Sequence, residues 1–173
     1  MEYDKWVKLA QKGDQDAFVL LIKNNENSMY RVARSFFKDD IDCADVIQET
    51  ILKAFQSLKN LKEPKYFKTW LIRILINECK KMIISKKKVV NEVVEETKVD
   101  SYHSIEIQEA IDSLDVDIRT ITVLFYLEDR PVKEIAKLLE IPEGTVKSRL
   151  NRARSKLANL LQSENERSVR DGK

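Results

Sequence analysis

Between Pro142 and Ala158 the sequence carries five basic residues, Lys147, Arg149, Arg152, Arg154 and Lys156, against one acid, Glu143. At 100° per residue, Val146, Leu150, Ala153 and Leu157 share an apolar stripe about 60° wide. Ser148, Asn151, Arg152 and Ser155 lie opposite, Lys147 and Arg154 line one flank, and Arg149 lies on the other. Short polar groups and an arginine can meet base edges, while flanking cations meet phosphates, so this is the chemistry of DNA readout. The plainer alternative is a solvated basic face on a helical hairpin. The preceding residues argue against it. Pro131 suits the first turn of a helix whose apolar face is Ile135, Ala136, Leu138 and Leu139, with small Ala136 where a second helix must cross. Pro142 and Gly144 then read as a tight turn, with Thr145 opening the next helix: the helix-turn-helix layout.

A second polar array sits earlier. Between Tyr66 and Ser85, the residues Tyr66, Thr69, Arg73, Asn77 and Lys80 fall within about 80° of one another. Most of the remaining circumference is apolar: Phe67, Trp70, Leu71, Ile72, Ile74, Leu75, Ile76, Met82 and Ile83. A helix of this kind is largely buried and leaves one thin polar stripe. Lys65, Lys68 and Lys81 add positive charge beside it. Cations for phosphates and polar groups for an unstacked base fit single-stranded DNA. Phe67 and Trp70 repeat with Leu71 and Ile74 and so read as core, which leaves Tyr66 as the stacking residue.

Catalytic chemistry finds little material. With a single histidine, His103, imidazole metal sites and histidine-based triads are nearly excluded. Cys43 and Cys79 fit neither a disulfide framework nor metal-ligand spacing and read as small buried thiols. Acidic residues are scattered over helix surfaces. No enzyme, cofactor, metal or small-molecule substrate is expected.

The elements that must carry these arrays are helical. Three glycines and three prolines in 173 residues are too few to punctuate many strands. Trp6, Leu9 and Ala10 repeat at helical spacing, and Ala17, Phe18, Leu21 and Ile22 continue the pattern. Tyr30, Ala33, Arg34 and Phe37 mark a second helix. Asp42 is the expected cap of a third, with the apolar stripe Val46, Ile47, Ile51, Ala54, Phe55 and Leu58. Pro64 breaks the chain before the fourth. The expected organisation is all-α: a helical domain over 1–85, a charged linker over 86–103, a second helical domain over 104–162, and a polar, disordered tail over 163–173. Met1 is followed by charge, not an apolar leader, and no apolar run approaches the ~20 residues of a membrane span, so a cytoplasmic protein is expected.

Ile141 to Arg154, IPEGTVKSRLNRAR, resembles region 4 of the extracytoplasmic-function (ECF) sigma factors, group 4 of the sigma-70 family. Upstream, Ala110 to Leu114, Arg119 and Leu124 to Leu127 agree. Asp42 to Ile51, DCADVIQETI, is similar to the family's region 2.2, and Asp16 to Phe18 and Tyr30 to Arg34 match the segments before it. Tyr66 to Ile74, with Asn77, resembles regions 2.3 and 2.4. Three positions depart from the pattern: Asp115 stands where proline is frequent, Glu140 where the turn often has glycine, and Asn151 at a variable contact position.

The resemblance implies a transcription initiation factor that binds core RNA polymerase through the β′ clamp helices and β flap and directs it to promoter DNA. Lys147, Ser148, Arg149, Asn151, Arg152 and Arg154 would contact the −35 element. Lys65, Tyr66, Thr69, Arg73, Asn77 and Lys80 would read and melt the −10 element, with the loop Lys59 to Lys65 helping to hold a flipped base. Asp45, Gln48 and Glu49 would dock on polymerase. The linker would thread toward the RNA-exit path, its eighteen residues reaching roughly 60 Å if extended. A membrane-anchored anti-sigma factor would hold the protein at the inner face of the membrane until a stress released it. An ordinary helix-turn-helix regulator is the alternative, but it has no use for the DVIQET helix or the polar-striped one.

Overall fold

The computed structural model describes residues 2–89 and 107–171, and every regular element among them is helical. The chain divides into two compact units, Met1–Val89 and Val90–Lys173.

In the first unit, α1 (Glu2–Gln11) ends where Gly13 takes φ of +100°, a conformation that strains any residue with a Cβ. Asp14 then caps α2 (Gln15–Phe36), its carboxylate accepting the Ala17 N–H at 3.0 Å. The sequence pattern reads as one helix running on to Ile22 and a second near Tyr30. The break lies instead at Gly13, and α2 is continuous, because a left-handed glycine followed by a capping aspartate overrides apolar continuity. Helix α3 (Asp40–Ser57) is capped by Asp39, which accepts the Ile41 N–H at 3.1 Å, and not by Asp42. Asp42 lies inside the first turn and pairs with Lys86.

Two single 3-10 turns, Leu58–Asn60 and Pro64–Tyr66, lead into α4 (Phe67–Val89). The side-chain amide of Gln11 donates to Leu58 O at 3.1 Å and Leu61 O at 2.7 Å, pinning this loop to the end of α1. Phe67, Leu71, Ile72, Leu75, Ile76 and Cys79 are fully buried, and α4 packs against α2 and α3. Tyr3 meets the Phe67 ring edge-on at 5.9 Å. Phe55 departs from the expected stripe. It is 51% exposed and leans edge-on against Phe18. Helix α4 also continues through 86–89, the first four residues of the expected linker; residues 90–103 of that linker lie outside the described residues.

The second unit packs α5 (Ile107–Asp112), α6 (Val116–Thr122, continued by a π-helical turn Val123–Leu127), α7 (Val132–Leu139) and α8 (Glu143–Asp171). Arg119 is buried, and its guanidinium donates to Asp112 O at 3.1 Å and Leu114 O at 3.0 Å, closing the α5–α6 connection. Leu114, Ile118 and Ala153 form a core cluster with Leu157 against it. The tight turn is carried by Glu140, not Gly144. Glu140 takes φ 60°, ψ 45°, and the Ile141 N–H returns to Ala136 O at 3.0 Å. Pro142 accepts the first bonds of α8, so Gly144 is already helical and the helix starts two residues before Thr145. Pro131 precedes α7 in extended conformation. Where a disordered tail is expected, α8 continues to Asp171.

Candidate nucleic-acid interface

Helix α8 is divided by burial as its sequence is by chemistry. Val146, Leu150 and Ala153 are buried and Leu157 is half-buried, while Lys147, Ser148, Asn151, Arg152, Arg154 and Ser155 are exposed. Ser148 and Ser155 donate to the carbonyls of Thr145 (3.0 Å) and Asn151 (3.2 Å), which leaves their oxygen lone pairs outward. Arg154 Nε reaches Leu150 O at 3.4 Å. Arg149 behaves differently. Its Nη2 lies 3.0 Å from Asp117 Oδ2 on α6, so the guanidinium faces α6 and not the polar face. One turn pair further on, Lys156 Nζ lies 2.7 Å from Asp115 Oδ2, and that ammonium holds the Asp115 carboxyl below the ordinary carboxylate range. Lys133 and Lys137, exposed on α7 beside Glu140 and Pro142, were not singled out from sequence. Their i, i+4 spacing in the helix before the turn was the available signal.

In the first unit, Tyr66 (54% exposed), Arg73 and Asn77 are exposed and Thr69 and Lys80 half-buried, so the five residues share one surface. Lys65 Nζ sits 4.9 Å from the centre of the Tyr66 ring, a cation over an aromatic face. Phe67 is buried and Trp70 half-buried, as expected of core residues. Asn77 opens onto a groove between α3 and α4, whose walls include Lys53, Gln56, Glu78 and Lys81. Glu78 is buried. Burial pushes its carboxyl up, but hydrogen bonds from Lys53 and Lys81 outweigh that and leave it below its usual range. Of these four only Lys81 was singled out from sequence, as positive charge beside the stripe; the Lys53–Glu78 pair was not legible, because its partners are 25 residues apart.

Asp45, Gln48 and Glu49 are exposed along α3. They are not alone there. Ile41 (70% exposed), Leu52 (50%) and Phe55 (51%) share the same face, within about 120°. The surface is therefore mixed, apolar side chains among acidic and amide ones. Glu49 lies 3.4 Å from Lys53. Among the described residues no cluster of potential metal ligands occurs, and no helix is long and apolar enough to cross a membrane.

Comparison with known proteins places these surfaces in context. Residues 21–89 match the family model of sigma-70 region 2, and residues 104–157 match that of sigma-70 region 4. RNA polymerase sigma factor SigV of Bacillus subtilis is 32% identical over 141 residues, covering 78% of this chain and 85% of that protein. The ECF RNA polymerase sigma-E factor of Haemophilus influenzae is 28% identical over 177 residues, covering 90% and 93%. Two solved structures share the fold: CnrH in complex with the cytosolic domain of CnrY (TM-score 0.68, 24% identity, 94% of this chain and 99% of that one) and RpoE with the anti-sigma factor NepR from Bartonella quintana (TM-score 0.70, 24% identity, 84% and 96%).

Proposed function

The chain belongs to the sigma-70 family, as an ECF sigma factor that directs RNA polymerase in transcription initiation, and from that premise we propose how its surfaces divide the work. The carrying observation is that two polar, cation-edged faces fall on the two units that match regions 2 and 4, in that order along the chain. Lys147, Ser148, Asn151, Arg152 and Arg154 read and grip the −35 element, with Lys133 and Lys137 on phosphates across the turn. Arg149, turned to Asp117, stands outside that set. Tyr66, Thr69, Arg73, Asn77, Lys80 and Lys65 act on the −10 element as a strand: cations hold phosphates, Tyr66 stacks, and Asn77 offers an amide to a displaced base.

The α3 face bearing Asp45, Gln48 and Glu49 docks on core polymerase, on the β′ clamp helices, and Ile41, Leu52 and Phe55 supply the apolar contact such an interface needs. Control by an anti-sigma factor is supported by the complex of RpoE with the anti-sigma factor NepR, and its membrane anchoring, with the sigma factor waiting in the cytoplasm, completes the proposal. No covalent chemistry is assigned to the chain.

Run-off transcription tests the whole reading. Purified protein added to core polymerase on a promoter library should select promoters and initiate. Tight duplex binding without polymerase, and no transcription with it, would make the chain an ordinary regulator instead.

A further inference from the structure

Arg149 and Lys156 are seven residues apart on α8 and therefore share a flank, about 120° round from the Ser148–Asn151–Ser155 face. Both are met by acids from the start of α6: Arg149 by Asp117 at 3.0 Å and Lys156 by Asp115 at 2.7 Å. Asp115 occupies the N-cap position of α6, yet its carboxylate makes no capping hydrogen bond; it reaches Lys156 instead. The two aspartate side chains are 70% and 72% exposed. Ion pairs this wet add little to stability, so their effect must be sought in the electrostatic surface.

Resting on the reading of α8 as the DNA-reading helix, we propose that Asp115 and Asp117 are specificity residues: they mask the Arg149–Lys156 flank from phosphates, so that duplex DNA is accepted only by the Ser148–Asn151–Arg152 face. Non-specific affinity grows with the number of cations a protein can place on phosphates, and each one steepens the salt dependence. Of the five cations on this stretch, two are neutralised by these aspartates, leaving Lys147, Arg152 and Arg154 around the reading face. The two carboxylates also repel phosphates that approach along the flank. Specificity is gained here by weakening the wrong docking mode rather than by strengthening the right one.

The test uses the full chain with Asp115→Asn and Asp117→Asn together. Fluorescence anisotropy with a duplex lacking promoter elements, titrated from low to moderate salt, should show affinity raised about 3- to 10-fold and a log–log salt slope steeper by about one to two. In holoenzyme, the ratio of promoter to non-promoter binding should fall. Added to a background of Arg149→Gln and Lys156→Gln, the same asparagine pair should give a clearly smaller gain, the part due to carboxylate repulsion alone. An unchanged affinity and slope, or a gain of undiminished size in that background, overturns the proposal. Arg152→Ala separates the two levels: if it leaves promoter use intact, the reading of α8 itself fails. If it impairs promoter use while the asparagine pair is silent, only the masking falls.

Discussion

Lys53 on α3 hydrogen-bonds to the buried carboxylate of Glu78 on α4, and this pair joins the helix proposed to dock on polymerase to the helix proposed to read DNA. Lys53 also lies 3.4 Å from Glu49, and Glu78 follows Asn77 directly in sequence. The residues proposed for docking and for base reading thus share one cross-helix fastening.

Removing that fastening should destabilise the first unit. Glu78→Ala leaves Lys53 and Lys81 without their shared carboxylate, and a loss of about 1–3 kcal/mol is expected, below the figure for a fully buried pair because both lysines are partly exposed. Chemical denaturation followed by circular dichroism measures it. The pH dependence has a definite sign. Glu78 is held below its ordinary range in the fold, so its contribution is present above that range and is lost as pH falls through and beneath it. Glu78→Gln should therefore flatten the acid side of the stability curve.

Arg73→Ala and Asn77→Ala should impair promoter opening more than initial binding. Permanganate footprinting reports unstacked thymines, and closed-complex formation by mobility shift provides the comparison. Normal melting in both variants would remove these residues from the strand-reading role.

Arg152→Ala should weaken recognition of the upstream element by about 1–3 kcal/mol, the range for a good side-chain contact to a base. Lys137→Ala should instead lower binding uniformly across sequences and reduce the salt slope by about one. Competition binding of holoenzyme to point-substituted promoters distinguishes the two behaviours.

Glu140→Gly should raise the stability of the second unit by up to about 1 kcal/mol. A left-handed conformation strains a residue with a Cβ by roughly 1–2 kcal/mol, and the added freedom of glycine in the unfolded chain offsets part of the relief. Thermal melting checks this. A lower midpoint would mean that the Glu140 side chain contributes more than its backbone strain costs.

Cys43 and Cys79 should resist alkylation at mild alkaline pH until the protein unfolds. Burial pushes the Cys43 thiol up to about 11 and raises Cys79 as well, and both side chains are fully enclosed. Mass spectrometry after iodoacetamide treatment, with and without denaturant, measures the difference.

What was legible in the sequence follows a physical rule. Apolar stripes with helical period announced α3, α4, α7 and α8, and the polar faces they leave, Ser148–Asn151–Arg152 and Tyr66–Arg73–Asn77, emerged as exposed. Features that depend on a partner distant in sequence were invisible. Periodicity placed Phe55 in the core, but the neighbouring helix does not cover it; it only leans on Phe18. Nothing in the sequence around Arg149 announced that α6 would bring Asp117 to it. Gly13 and Asp14 show a further limit: a single left-handed residue ends a helix whose apolar pattern runs straight on.

Helix α8 has one more consequence, a mechanical one. From Thr145 to Asp171 it contains neither glycine nor proline, and its 29 residues make a rod about 43 Å long. The exposed Ser148–Asn151–Arg152 face and the far end of α8 therefore belong to one uninterrupted helix. A rigid spectroscopic label near residue 168 would act as a pointer, reporting the azimuth of the proposed reading face from a distance.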